Sequence, residues 1–294
     1  MKICLSTPPS PNAEPWYPTF EKKGVKVYFN SVHPDCDFII SIAPTGYFHL
    51  LQMFHNTFPD IPMIIYLWDM YKTIWEPPIK YNWPKHIEYF KKAAEVWCPS
   101  NEVIKRAAEE GVDASKCKLI KTWARFFDYK GEVVDKRYIL QPVRSYPNDK
   151  NHGWLKRAAA ELNIPVFESQ NKLSDKEFQK VIAECSFMCC EYHEMSTGGL
   201  TLLEGYNLGK VSVVSDSPYE GVRDYLGDRA IYFNDDSYED FKATIKDVWD
   251  NTPVLDRKEC EDFCRQHVTL DQMVDQMIER LEELNIASSV RELL

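Results

Sequence analysis

The chain has 294 residues, about two domains' worth at roughly 100–200 residues per domain. Apolar residues make up 44%, aromatics 13% and charged residues 27%, enough to bury a core, which excludes a disordered chain. The 35 basic and 45 acidic residues leave a net charge of −10, which argues against a generally basic nucleic-acid binder.

The opening MKICLSTPPSP carries one lysine and a short apolar stretch ending in prolines. It reads as a first strand and its loop, not as a signal peptide. No apolar run reaches the roughly 18 residues of a membrane span. From that start, strands are predicted at Ile3–Ser6, Val25–Phe29, Phe38–Ile42, Met63–Leu67, Val96–Cys98 and Leu119–Thr122. A second set follows at Tyr138–Pro142, Val166–Glu168, Phe187–Cys190, Val211–Ser215 and Ala230–Phe233. These runs are nearly continuous in apolar character, as strands covered on both faces should be.

Helical patterns lie between them. Ser174-x-x-Glu177 is a capping box, followed by Phe178, Val181, Ile182 and Cys185 at helical spacing. Thr269-x-x-Gln272 opens a stripe of Leu270, Met273, Val274, Met277, Leu281 and Leu284. Alternating strands and helices imply parallel sheets with right-handed crossovers. Eleven strands exceed one such sheet at this length, so two doubly wound domains are expected, with the seam near Ala124–Lys136. The domains are read as 1–125, 126–268 and a C-terminal helix 269–294 open to packing back across the cleft between them. Ligands of such sheets bind at the carboxyl ends of the strands.

The most informative stretch is Cys189–Tyr219. A buried strand ends in a polar loop, and Gly198-Gly199 then open a helix through Leu200–Leu208. Backbone N–H groups at such a start favour an anion, commonly phosphate. Glu204 lies one turn inside that helix. It either accepts hydrogen bonds from a ribose diol or sits on a solvated face. Arg144 and Lys150, behind the strand Tyr138–Pro142, suit a diphosphate, Arg by its planar fork and Lys as a point charge; a solvated turn is the plain alternative.

The run S-T-G-G-L-T-L-L-E-G resembles, without a gap, the nucleotide-sugar motif E-G-F-G-L-x-x-L-E-A of retaining glycosyltransferases of family four. Gly209–Asp216 is similar to that family's G-x-P-V-V-x-S strand, and Glu220 to its downstream acidic residue. The resemblance covers about residues 118–250 closely and implies the GT-B fold: two Rossmann-like domains facing a central cleft, the second holding the donor. It implies a hexosyl transfer with retention from a nucleoside-diphosphate sugar, with no cofactor and no metal. Arg144, Lys150, Ser196, Gly198, Gly199, Leu200, Thr201 and Glu204 are its donor-site residues. The family's first Glu is Ser196 here; Glu194 or Glu191 could take its place, and Glu194 is taken as the candidate catalytic carboxylate. In the first domain Trp68 stands where a histidine is common in the family. Asp69, at a strand's carboxyl end, is the candidate base or acceptor ligand, or else begins a turn.

Residues 71–106 carry a net charge of +3 with Tyr71, Trp75, Tyr81, Trp83, Tyr89, Phe90 and Trp97 interleaved. That suits a membrane surface, stacked sugars or nucleic-acid bases, or a helix pair whose aromatics are core. The acceptor is accordingly a glycan, a lipid-linked glycan, a protein or a modified DNA base. A non-catalytic nucleotide-sugar binder and a nucleotide-sugar epimerase are the alternatives. His152 and His193 are cleft candidates. Cys260, Cys264 and His267 have helical spacing but lack a fourth ligand for a metal. The nine scattered cysteines point to free thiols and a reducing, cytoplasmic compartment.

Overall fold

The computed structural model describes the chain except residues 7–13, 32, 44–47, 68–76, 126–128, 143–148, 170–172, 194–198, 218–220 and 293–294, and the side chains of 43, 48–52, 77–83 and 287–292. Two compact units result: Met1–Thr122 with Leu270–Leu294, and Trp123–Thr269.

In the first unit the chain runs β1 (Lys2–Ser6), α1 (Trp16–Lys22), β2 (Lys26–Phe29), β3 (Phe38–Ala43), α2 (Phe48–Thr57) and β4 (Met63–Leu67). It continues through α3 (Pro77–Lys92), β5 (Glu95–Cys98), α4 (Asn101–Glu109) and β6 (Cys117–Leu119). The six strands are parallel in the order β2-β1-β3-β4-β5-β6. The last strand ends three residues before the predicted Thr122. Its pairing with Val96–Cys98 spans only Cys117–Leu119, and the chain then leaves the sheet toward the second unit.

The second unit runs β7 (Ile139–Gln141), α5 (Trp154–Leu162), β8 (Val166–Glu168), α6 (Asp175–Glu184), β9 (Phe187–Cys190) and α7 (Leu200–Asn207). It closes with β10 (Ser212–Ser215), α8 (Arg223–Leu226), β11 (Ile231–Phe233), α9 (Tyr238–Asp250) and α10 (Arg257–His267). Its five strands are parallel in the order β11-β10-β9-β7-β8. The C-terminal helix α11 (Leu270–Glu292) returns to the first unit, where Lys23 pairs with Asp275 at 2.8 Å and Arg280 with Glu95.

Why the strands lack alternation is visible in the second sheet. Leu140, Met188, Cys190 and Val214 enter one core with residues of α6, α7 and α10. Their neighbours Ile139, Phe187, Cys189 and Val213 enter the other, with α5 and α9. Both faces of these central strands are covered, so their positions are mostly apolar. The Ser174 capping box forms as the sequence predicts, its hydroxyl accepting from Glu177 N and Glu177 accepting from Ser174 N.

One sequence expectation changes. Cys4 and Cys36 form a disulfide, so this pair departs from the free-thiol pattern; the other seven cysteines are free and buried. In the segment 71–106, the described aromatics Tyr89, Phe90 and Trp97 are buried in the first unit. These three belong to a core; Tyr71, Trp75 and the side chains of Tyr81 and Trp83 lie outside the described residues. Among the described residues no helix is long and apolar enough to cross a membrane.

Gly205, inside α7, faces Met188 so closely that an added Cβ would lie 1.9 Å from its sulfur. Gly205→Ala should therefore lose about 1 kcal/mol or more in urea unfolding, overpacking outweighing the gain in helix propensity.

Candidate functional site

In the second sheet the strand order reverses between β7 and β9, and the loops leaving these strands carry most of the predicted residues. A reversal point at the carboxyl edge of a parallel sheet leaves a crevice, because the two flanking connections go to opposite faces.

Glu191, the first residue past β9, is buried at this edge. Its carboxylate accepts from Gly153 N at 2.9 Å, from Leu155 N and from Gln141 Nε2 at 3.3 Å. It thus caps α5, whose N-cap Gly153 has φ 86° and offers no side chain. Burial pushes its pKa up to about 7, with the N–H donors pulling the other way. Glu191 is thereby committed to the scaffold.

Asp149 binds the same loop together, accepting from Asn151 N at 2.9 Å and from His193 N at 3.0 Å. The His193 ring contacts Asp235 through Nδ1, and Asp235 also lies 3.1 Å from Lys150 Nζ. Asp236 is closer to Lys150, at 2.7 Å. Lys150 therefore faces two carboxylates, and its pKa is raised despite an opposing desolvation effect. The acidic partners come from the loop after β11, far from Lys150 in sequence, and no local pattern announces them. The His152 backbone N–H donates to Asp149 O at 3.2 Å, and its ring lies parallel to that of Tyr192.

Gly199 is the N-cap of α7, with φ 58° and no side-chain cap. A Cβ there would meet Leu202 at 2.9 Å, so the position requires glycine for both conformation and space. α4, α6, α9 and α10 carry side-chain caps; among the described residues no side chain caps the first N–H groups of α7, at Leu200 and Thr201.

Glu204 is 0% exposed, which overturns the solvated-face reading. One carboxylate oxygen accepts from Arg125 Nε at 2.9 Å; among the described residues the other is buried with no hydrogen-bond partner. Burial raises its pKa to about 7, against the pull of the Arg125 charge and of hydrogen bonds from the Arg125 side chain and backbone. Arg125 also lies 3.8 Å from Asp175, the first residue of α6. Sequence reading missed Arg125: it lies in the non-periodic seam, 79 residues before its partner. The structure thus gathers Asp149, Lys150, Glu191 and His193 into one hydrogen-bonded edge, and sets Glu204 with Arg125. Asp69, Arg144, Glu194, Ser196, Gly198 and Glu220 lie outside the described residues.

Solved structures share this architecture. HepE from Anabaena in complex with UDP-glucose superposes with a TM-score of 0.70 at 12% identity, covering 96% of this chain and 100% of that one. Sucrose-phosphate synthase from Thermosynechococcus elongatus gives 0.73 at 10% identity, over 98% of this chain and 100% of that one. The lipopolysaccharide outer core galactosyltransferase WaaB gives 0.63 at 12%, again over 98% and 100%. The fold is GT-B. No family model matches the chain, and no curated protein matches its sequence.

Both buried carboxylates have folded pKa values above their ordinary 4.5. A raised acid stabilises the fold fully below its unfolded pKa, and that contribution is lost as pH rises through about 7. Glu191→Gln should accordingly narrow the difference in unfolding free energy between pH 5 and pH 8, measured by urea titration at each pH.

Proposed function

We propose that the chain is a retaining glycosyltransferase, similar to those of family four, that moves a hexosyl group from a nucleoside-diphosphate sugar. The observation that carries this reading is Glu204: a fully buried carboxylate with one oxygen held by Arg125 and the other without a partner among the described residues. A buried acceptor left open costs free energy unless a ligand supplies the donor. The hydroxyls of a ribose are such donors, and the uncapped start of α7 one turn away suits the phosphates that follow a ribose. The UDP-glucose held by the similarly folded HepE supports the same ligand class.

In this reading Arg144, Lys150 and the N–H groups of Gly198, Gly199, Leu200 and Thr201 hold the diphosphate, with Ser196 beside them. A diphosphate at Lys150 shares the three N–H donors of the ammonium with Asp235 and Asp236. As the bond from the sugar C1 to the phosphate oxygen breaks, its electron pair stays on the diphosphate. The acceptor oxygen bonds to C1 on the same face, and its proton passes to Asp69. Stabilising the charge on the leaving group is the main task of the protein, and cations with backbone dipoles perform it without a divalent ion or cofactor. Glu194 is assigned to the donor sugar in place of the carboxylate absent at Ser196. The acceptor is a large glycan, lipid-linked glycan, protein or modified DNA base, and we assign the enzyme to the cytoplasm on its seven buried thiols; the Cys4–Cys36 disulfide is the feature against that compartment.

One observation favours a second reading, a non-catalytic nucleotide-sugar binder: Glu191 is spent on α5, leaving Glu194 as the sole remaining substitute for the carboxylate missing at Ser196. Incubating the purified protein with the donor it binds, with and without acceptor glycans, separates the two by the appearance of free nucleoside diphosphate.

A thermal-shift screen against UDP-, GDP-, ADP- and CMP-sugars should show stabilisation by at least one; no response to any would end the donor-site reading. Glu204→Gln should weaken nucleotide binding by about 1–3 kcal/mol and Lys150→Ala by about 1.5–3 kcal/mol, read by calorimetry. Transfer should survive EDTA nearly unchanged. Complete loss that magnesium restores would remove the metal-independent mechanism.

A further inference from the structure

Glu204 does not meet its ligand alone. Arg125 enters the second unit two residues past Trp123, its first residue, and donates through Nε to Oε1 of Glu204 at 2.9 Å. The outer end of its guanidinium reaches toward Asp175 at 3.8 Å. Side-chain exposure falls from 70% at Asp175 to 21% at Arg125 and 0% at Glu204, so the guanidinium bridges an outer and an inner carboxylate. The inner one keeps Oε2 open.

We infer that Arg125 is a positioning residue for the donor: it holds Oε1 of Glu204 so that Oε2 meets the ribose hydroxyls as part of an ionised carboxylate. The inference rests on the reading of Glu204 given above. Its chemistry follows from what each state can accept. An ionised carboxylate with one oxygen tied to arginine still offers lone pairs on Oε2 to two hydroxyl donors. A protonated one presents an O–H there and gives up that acceptor capacity. Burial drives Glu204 toward the protonated form, and Arg125 opposes it; Asp175 works with burial. Arginine suits the role because it stays charged and its planar fork fixes direction.

Other groups around α7 leave this balance alone. From α10, Cys260 and Cys264 face it as thiols, Cys264 pushed up to about 12 by burial and Cys260 raised. Tyr206 on α7 itself is raised to about 12. β9 brings the buried thiol of Cys190, and β10 carries no titratable side chain. At working pH, Arg125 and Asp175 are thus the charged groups acting on Glu204 among the described residues.

The test is calorimetric affinity for the nucleoside-diphosphate glucose that the screen ranks first, at pH 6, 7.5 and 9. The diphosphate of such a sugar does not titrate over that range, unlike a terminal phosphate with its pKa near 6. Wild type should lose affinity below about pH 7, approaching tenfold per unit. Arg125→Gln should bind about tenfold or more weakly at pH 7.5, with most of the loss recovered by pH 9 as Glu204 ionises unaided. Arg125→Lys, which keeps the charge without the fork, should fall between. If Arg125→Gln binds as wild type at every pH, or loses the same factor at all three with no rescue by lysine, Arg125 is structural and the inference fails. If Arg125→Gln does not fold, the pH at which Arg125→Lys loses half its affinity decides: no upward move from wild type overturns the proposal. Glu204→Gln separates the two levels. Wild-type binding by that variant ends the donor reading and this inference together, whereas weak binding beside an unaffected Arg125→Gln ends the inference alone.

Discussion

Glu191 leaves β9 where the strand order of the second sheet reverses, and its carboxylate collects the N–H groups of Gly153 and Leu155 and the amide of Gln141. Taking a carboxylate out of water costs several kcal/mol, and the fold recovers that cost only if its lone pairs are filled in good geometry. The end of β7, the start of α5 and the end of β9 are therefore held in one arrangement. Asp149 extends it, because the backbone N–H of His193 reaches its carboxylate. The edge on which the donor reading depends is built from acidic groups turned inward onto backbone amides.

Against this scaffold the carboxylates of the second unit divide by how their oxygens are used. Glu191 and Asp149 have theirs engaged by backbone donors, and both serve the loop conformation. Asp235 and Asp236 neutralise Lys150, and Asp235 contacts His193 as well. Glu204 differs, with one oxygen tied and one open in a fully buried position. Burial raises the pKa of Glu191 and of Glu204 alike, so a raised value alone does not distinguish a capping carboxylate from a ligand-facing one. The unfilled hydrogen-bonding capacity does.

Local chemistry was readable wherever the cause was local. The eleven strands follow from apolar runs that must be dry on both faces, and the start of α6 from a hydroxyl and a carboxylate three residues apart. Gly199 at a left-handed helix start was legible for the same reason, since only glycine combines φ 58° with the approach of Leu202. The aromatics near Trp97 were ambiguous because basic residues interrupt an amphipathic helix whether its aromatics face a partner or a core.

Composition, periodicity and capping residues by themselves determined a parallel α/β chain in two parts, because backbone hydrogen bonding and burial act over a few residues at a time. Tertiary structure alone decided which carboxylate does what. Glu191 meets Gly153 across 38 residues, Lys150 meets Asp236 across 86, and Arg125 meets Glu204 across 79. Cys4 and Cys36, 32 residues apart, come together because β1, which holds Cys4, pairs with β3, which begins just after Cys36. Electrostatic partners are selected by distance in space, and a sequence carries no record of that distance until the sheets have set it.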